Sequence, residues 1–102
     1  MLFVVLFKDN TDRADDIRRQ HMPAHLAFLK RHGGAIKAAG PLRDQQNAPA
    51  GGLWLVEAAV PGDVEKLVQE DPFWPTGLRR TVRILTWMQV FADGIAKGIP
   101  AT

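Results

Sequence analysis

The chain of 102 residues is 46% apolar, a size and composition that fit one domain with a single hydrophobic core. Its formal charge of +2 comes from thirteen Lys and Arg interleaved with eleven Asp and Glu, a distribution that gives little support to nucleic-acid binding. Cysteine, serine and tyrosine are absent, which excludes disulfide bonds, thiolate and serine nucleophiles, and a phenolic acid.

The N-terminal third predicts one strand and two helical segments. Residues 2–7, LFVVLF, are uniformly apolar and favour a strand. This run is too short for a membrane span and lacks the flanks of a signal peptide, which together with the missing cysteines favours a cytoplasmic protein. Residues 9–12 favour a turn that leads into a short helix over 13–20. Pro23 is expected to interrupt that helix and to open a second one, which ends near His32 at two glycines.

The rest of the chain predicts three strands and one further helix. In order, these are a strand over 35–41, a polar loop over 42–50, a strand over 51–60, a helix over 61–70 and a strand over 78–91. The order β-α-β-β-α-β is that of ferredoxin-like folds, which are α+β with a four-stranded antiparallel sheet and both helices on one face. We therefore expect one domain over residues 1–92 and a C-terminal tail over 93–102.

The two strands expected at the centre of this sheet, residues 2–7 and 51–60, do not alternate between apolar and polar positions. Both of their faces therefore need an apolar cover, and two helices on one side supply only half of it. Packing of the open sheet face against a second copy solves this, so we expect a homodimer with sheets face to face.

Acid–base chemistry without a cofactor would fall mainly on the histidines and carboxylates. His21 and His25 are four residues apart, a spacing that suits a metal ion on an unbroken helix, but Pro23 argues against that helix, and we expect no metal and no cofactor. His25 is then either a histidine bonded to the backbone near a helix start or a neutral general base beside a helix N-terminus.

A carboxylate follows the second helix in the sequence DPFWPTG. Asp71 is either the N-cap of the next turn or the partner of a catalytic group. Phe73 and Trp74 fit either core packing or a ligand platform. Arg43, in the polar loop, is either solvated or part of a cleft.

These residues resemble the YciI-like (YCII-related) family of small α+β proteins. The matching features run in order through residues 1–91, namely the first strand, PAHLAFL at 23–29, AAGP at 38–41, the apolar third strand and DPF at 71–73. The resemblance implies a dimeric ferredoxin-like protein whose site combines His25 of PAHL with Asp71 of DPF. It also implies a mechanism: Asp71 orients the imidazole, and His25 removes a proton while a leaving group departs, as in a relative that is a dehydrochlorinase of a hydroxylated aromatic ring.

The ligand is expected to be a small molecule of aromatic or anionic character. The residues expected to bind it around the pair are His21, Phe28, Gly40, Pro41, Arg43, Phe73 and Trp74. Family members often carry an arginine just before PAHL, where this chain has Met22. The candidates to replace it in binding an anion are Arg18, Arg19 and Arg43.

Two functions from different classes fit these observations. One is a cofactor-free enzyme, lyase-like (dehydrochlorinase-like) or hydrolase-like; the other is a non-catalytic dimeric module that binds a ligand in the same pocket. RNA binding fits poorly, because the third strand lacks the aromatic pattern of RRM domains. A ferredoxin-like monooxygenase or isomerase would share the fold, and fold alone does not separate it from the first function. We expect neither nucleic acid nor a membrane as a partner.

Overall fold

In the computed structural model, which describes residues 1–98, two α-helices cover one face of a four-stranded antiparallel sheet. The elements in chain order are β1 (Leu2–Asp9), α1 (Ala14–Arg31), β2 (Ile36–Arg43), β3 (Pro49–Glu57), α2 (Pro61–Glu70), a 3-10 turn (Trp74–Thr76), β4 (Arg79–Thr86), β5 (Phe91–Ala92) and β6 (Ile95–Ala96). The strand order of the main sheet is β2-β3-β1-β4. This confirms the ferredoxin-like α+β fold and the central place of the first and third strands.

Helix α1 corrects the expectation that Pro23 divides this region into two helices. It runs unbroken from Ala14 to Arg31 with Pro23 inside it. Pro23 lies on the exposed side, and one stripe of partly or fully buried residues continues past it: Ala14, Ile17, Arg18, His21, Met22, His25, Phe28 and Leu29. Burial of this continuous stripe outweighs the one backbone hydrogen bond that the proline cannot donate.

The core lies between the two helices and one face of the sheet. From the central strands it takes Phe3, Val5, Phe7, Trp54 and Val56; from the helices it takes Phe28, Val64 and Val68. The rings of Phe7 and Trp54 meet edge to face with centroids 5.1 Å apart. This packing fixes β1 and β3 beneath α1.

The opposite face of the sheet carries no helix in the described part of the chain. On β1, Val4 and Leu6 point to this side and are half-buried. In the register of β1 and β3, Val4 lies opposite Leu55, and Leu6 lies opposite Leu53. These four residues form an apolar patch at the centre of the sheet, which we call the open-face patch.

The structure differs from the sequence prediction in the bounds of one loop and of the last strand of the main sheet. The loop expected over 42–50 shrinks, because β2 continues to Arg43 and β3 begins at Pro49. The last strand ends at Thr86 instead of residue 91, since β4 pairs only with β1, which itself begins at Leu2.

The chain continues past β4 into a hairpin of β5 and β6, which contains the first part of the expected tail. Its turn residues, Asp93 and Gly94, both have positive φ, as hairpin turns of this length require. Residues 99–102 of the expected tail lie outside the described residues. No helix within residues 1–98 is long and apolar enough to cross a membrane.

Candidate active site

His25 and Asp71 meet in the interior, although 46 positions separate them in the chain. His25 lies on the buried stripe of α1, and Asp71 is the residue at which α2 ends. The imidazole Nδ1 is 2.8 Å from Asp71 Oδ1. His25 is 7% exposed and Asp71 2%, so the pair is shielded from bulk water.

Asp71 also holds its own backbone. Its Oδ1 accepts a hydrogen bond from the Phe73 N–H at 3.2 Å, in the manner of a turn cap. Both roles that the sequence allowed for this carboxylate, a local cap and a partner for a histidine, therefore occur at the same oxygen atom.

The hydrogen bond to Asp71 determines which ring nitrogen of His25 is available. An ionised carboxylate only accepts hydrogen bonds, so in the neutral form of the imidazole this contact assigns the proton to Nδ1 and the lone pair to Nε2. Nε2 makes no hydrogen bond with the described residues. It is also not fully buried, so a ligand can reach it. It is thus the nitrogen that remains free to accept a proton from a ligand.

Two aromatic rings hold the imidazole from the side. The Phe73 ring lies 4.4 Å from the His25 ring, centroid to centroid, and the Trp54 ring lies at 6.4 Å. His25 lies in the C-terminal half of α1. The expectation that it sits beside a helix N-terminus is therefore wrong, because α1 starts earlier than predicted and continues through Pro23.

A cleft of about 130 Å³ opens beside His25, between α1 and the edge of the sheet formed by β2 and β3. Its lining residues are Arg18, Met22, His25, Leu26, Leu29, Ala39, Gly40, Pro41, Gly52, Trp54, Phe73 and Arg79. The wall is mostly apolar, while the polar groups that reach it are one imidazole and two guanidinium groups. This composition is typical of a small-molecule site.

The two arginines share one carboxylate. Asp9, at the end of β1, pairs through Oδ1 with Arg79 Nη1 at 3.0 Å and through Oδ2 with Arg18 Nη2. The Nη2 of Arg79 lies 4.0 Å from Asp71 Oδ2, which extends the charged cluster to the His25 pair. Side chains from β1, α1, β4 and the end of α2 therefore meet at one side of the cleft.

Arg79 is buried among aromatic rings. Its guanidinium carbon lies 4.1 Å from the centroid of Phe7 and 5.4 Å from that of Phe73. Gly52 lies beside it: a Cβ atom at this position would lie 3.6 Å from Arg79 Nη1, an ordinary van der Waals distance. The Nε of Arg79 is the buried side-chain atom in residues 1–98 that has no hydrogen-bond partner.

The cleft gathers some of the predicted ligand residues and leaves others elsewhere. Gly40, Pro41 and Phe73 line it, and Phe28 lies behind it in the core. His21 and Trp74 line other, shallower grooves. Arg43 is exposed at the end of β2, where it donates a hydrogen bond to the backbone oxygen of Asn47.

Arg79 and Asp9 are the main residues that the sequence reasoning missed. They face each other across β1 and β4, next to a shift in strand register at Lys8 and Asp9. Their signal in the sequence is an aspartate at the end of β1 and an arginine at the start of β4, on strands that are antiparallel neighbours in a ferredoxin-like sheet. Trp54, Met22 and Leu26 were missed as well, since apolar lining residues look like core residues in a sequence.

The unbroken α1 removes the reason first given against a metal, because His21 and His25 now lie on one continuous helix. Within residues 1–98, however, no three His, Asp or Glu side chains gather closely enough to hold a metal ion. His21 faces the groove next to Pro72 and Pro75, and His32 packs against the Phe28 ring.

Comparison with known proteins gives a family and two structural relatives. The sequence model of the YCII-related domain matches residues 1–88. The fold is similar to that of 5-chloro-2-hydroxyhydroquinone dehydrochlorinase (TftG) from Burkholderia phenoliruptrix, solved in complex with 2,5-dihydroxybenzoquinone, with a TM-score of 0.73, 27% identity and coverage of 85% of this chain and 93% of the other.

A candidate antibiotic biosynthesis monooxygenase from Bacteroides thetaiotaomicron shares the fold alone, with a TM-score of 0.56 and 8% identity over 91% of each chain. No curated protein matches the sequence.

Proposed function

The chain belongs to the YCII-related domain family, and on that premise we propose that it is a small-molecule enzyme in which His25 is the general base and Asp71 positions it. The observation that carries the proposal is the buried 2.8 Å contact between His25 Nδ1 and Asp71 Oδ1 beside a cleft. It leaves Nε2 as the proton acceptor. No cofactor or metal enters the proposed step, and the location that we propose is cytoplasmic.

The proposed reaction is elimination of an acid HX from a small ring compound. Nε2 of His25 takes the proton, the electron pair left behind forms a new π bond, and X leaves with the electrons of its own bond to carbon. Asp71 stabilises the imidazolium that forms, because its carboxylate lies against Nδ1–H in a site with little water. Phe73 and Trp54 exclude water from the cleft. A hydrolase-like reaction would use the same base on a water molecule.

Support for this reaction class comes from the relative that is a dehydrochlorinase, together with the size of the cleft. A cavity of roughly 150 Å³ in another protein holds one benzene ring, so the cleft of about 130 Å³ suits a ligand of one ring. Because the cleft is open at Leu26, which is exposed, substituents of such a ring have room to extend outward.

The test is chloride release from 5-chloro-2-hydroxyhydroquinone. We expect His25→Gln to lower kcat by about a hundredfold or more, as loss of a general base does. Asp71→Asn lowers kcat less, because the base remains, and Asp71→Glu restores part of the loss. His32→Gln is the control, since His32 packs on Phe28 outside the cleft.

A second measurement separates positioning by Asp71 from mere support of the fold. The ¹⁵N spectrum of the His25 imidazole should show the Nδ1–H tautomer in the wild type and a changed tautomer balance in Asp71→Asn. An unchanged spectrum, or equal kcat for wild type and His25→Gln, contradicts the proposed base.

The alternative function is a non-catalytic ligand-binding module. The observation in its favour is that Asp71 Oδ1 also caps the local backbone at Phe73, which gives the carboxylate a structural use. Binding of 2,5-dihydroxybenzoquinone without release of chloride from the chlorinated compound favours this module over the enzyme.

We also propose that two copies associate through the open-face patch of Val4, Leu6, Leu53 and Leu55. The support is that these residues are only half-buried in one chain, although they occupy the centre of the sheet. Leu85 on β4, which is exposed, extends the apolar surface on the side of β1. Apolar faces of this kind are characteristic of subunit interfaces.

A further inference from the structure

We propose that Arg18 and Arg79 bind an anionic oxygen of the substrate, so that the substrate class is a small planar acid, a carboxylate or a phenolate of one ring. The acid lies with its anionic end at the two arginines and with the proton to be removed at His25 Nε2. This inference rests on the proposed function, because it assigns a substrate class to the same cleft.

The first argument is the balance of charge along the cleft. With a neutral imidazole, the pair of His25 and Asp71 carries one negative charge, held behind the ring and away from the cleft lining. Arg18 and Arg79 line the cleft and carry two positive charges, whereas Asp9, which pairs with both, and Asp71, 4.0 Å from Arg79 Nη2, are absent from the lining. The cleft is therefore positive at the end of the arginines, where an anion is attracted.

The second argument is the unused hydrogen-bonding capacity of Arg79. A guanidinium has five N–H donors. Arg79 Nη1 donates to Asp9 at 3.0 Å, while Nη2 lies 4.0 Å from Asp71, beyond hydrogen-bond distance, and Nε has no partner among residues 1–98. The side chain is only 6% exposed, so water does not easily replace the missing acceptors. Buried donors without an acceptor are rare in proteins. Nη2, unlike Nε, is not one of the fully buried atoms, so it is the donor to which an anionic ligand in the cleft supplies an acceptor.

The third argument is that Arg79 is held rigidly. Its guanidinium lies over the ring of Phe7 and near that of Phe73, and its Nη1 is bonded to Asp9. A guanidinium fixed in this way loses little conformational entropy when it binds a carboxylate or a phenolate. Arg18, with a side chain 21% exposed, lies nearer to solvent and meets an incoming anion first.

A purely structural role is the competing explanation. The contacts of Asp9 with Arg18 and Arg79 also fasten α1 and β4 to the end of β1. Such fastening predicts that the arginines affect stability without any preference for a charged ligand. Charge preference in binding therefore separates the two explanations.

The experiment compares benzoate with benzamide, which have nearly the same shape and differ in charge. We measure the affinity of the full chain for each by titration calorimetry and by NMR shifts of cleft residues. We expect benzoate to bind at least about tenfold more tightly than benzamide, the size of one charge-assisted hydrogen bond. We expect added NaCl to weaken benzoate binding only.

The variants compare two neighbouring arginines of α1, one that lines the cleft and one that does not. Arg18→Gln should lower the preference for benzoate several-fold, and Arg18→Lys should keep more of it. Arg19→Gln is the control, because Arg19 is the next residue, its side chain is 77% exposed, and its ion pair in the described part of the chain is with Asp16 at 3.5 Å. Arg79→Lys gives a second test at the buried arginine, with its fold checked by circular dichroism.

Equal affinity of wild type for the two compounds, including no detectable binding of either, would overturn the inference. A preference for benzoate that is unchanged in both Arg18→Gln and Arg79→Lys overturns it as well. Because binding needs no turnover, these outcomes are independent of the chloride-release test. Charge preference with normal kcat in His25→Gln means that the proposed base is wrong and the anion site is right.

Discussion

The two faces of the sheet are built from the same strands and similar apolar residues, yet only one of them is closed. On β1, Phe3 and Val5 are fully buried beneath the helices, whereas Val4 between them is half-buried on the open side. Within residues 1–98, the polar residues that are buried with their backbone included are His25 and Asp71, and both lie on the closed side. The difference teaches that the helices decide burial here, and that buried polar groups are kept where several elements supply partners.

The largest effect expected from this comparison is on stability. Phe3→Ala removes a fully buried ring and leaves a cavity, and we expect it to lower the free energy of unfolding by about 3 to 5 kcal/mol. Leu6→Ala, on the open face of the same strand, should cost only about 1 to 2 kcal/mol in a single chain, since the leucine is half-buried. Urea denaturation in dilute solution measures both. Equal losses contradict the view that one chain closes one face only.

The apolar runs of the sequence predicted the fold well. The order of the elements and the central place of β1 and β3 follow from hydrophobic period and from turn residues, which act locally. Pro23 shows the limit of this reasoning. A proline does cost a helix one backbone hydrogen bond, but the helix break predicted from that cost was wrong. The buried stripe of α1 on both sides of the proline depends on packing against the sheet, which no local rule contains.

The sequence predicted the His25–Asp71 pair of the candidate site better than it predicted the arginine cluster beside it. His25 and Asp71 stand in short motifs that resemble those of a family, so the sequence singled them out before any distance was known. Arg18 was named as one of three candidates to bind an anion, but its partners Asp9 and Arg79 were not singled out, because their meeting depends on the register that sets Asp9 opposite Arg79. The sequence shows that a charged residue stands at the end of a strand, but it does not show which charged residue of the neighbouring strand lies opposite.

Pro23→Ala tests the helix that closes the buried face, with a smaller effect. Alanine restores the N–H that donates to the Arg19 carbonyl oxygen, which stabilises the folded chain by about 3 kcal/mol. It also makes the unfolded chain more flexible, which lowers this gain by up to about 1 kcal/mol. We expect a net gain near 2 kcal/mol, measured as the free energy of unfolding. Pro61→Ala is the control, because Pro61 is the first residue of α2, where no hydrogen bond is lost. A gain at Pro61 equal to that at Pro23 contradicts this account of α1.

Val4→Lys has the smallest expected effect on the fold and tests the other face directly. Val4 is half-buried at the centre of the open-face patch, and a lysine stem can lie along the sheet with its ammonium in water, so the single chain should lose about 1 kcal/mol or less. Two charges brought face to face in a dimer are costly, so association should be lost.

Sedimentation velocity at micromolar concentration measures that loss, with Val60→Lys as the control at an exposed valine outside the sheet. A wild-type monomer, or a Val4→Lys dimer, means that the open-face patch is not an interface. The half-buried leucines of β3 would then remain in contact with water in a stable monomer, since apolar surface is common on monomeric proteins.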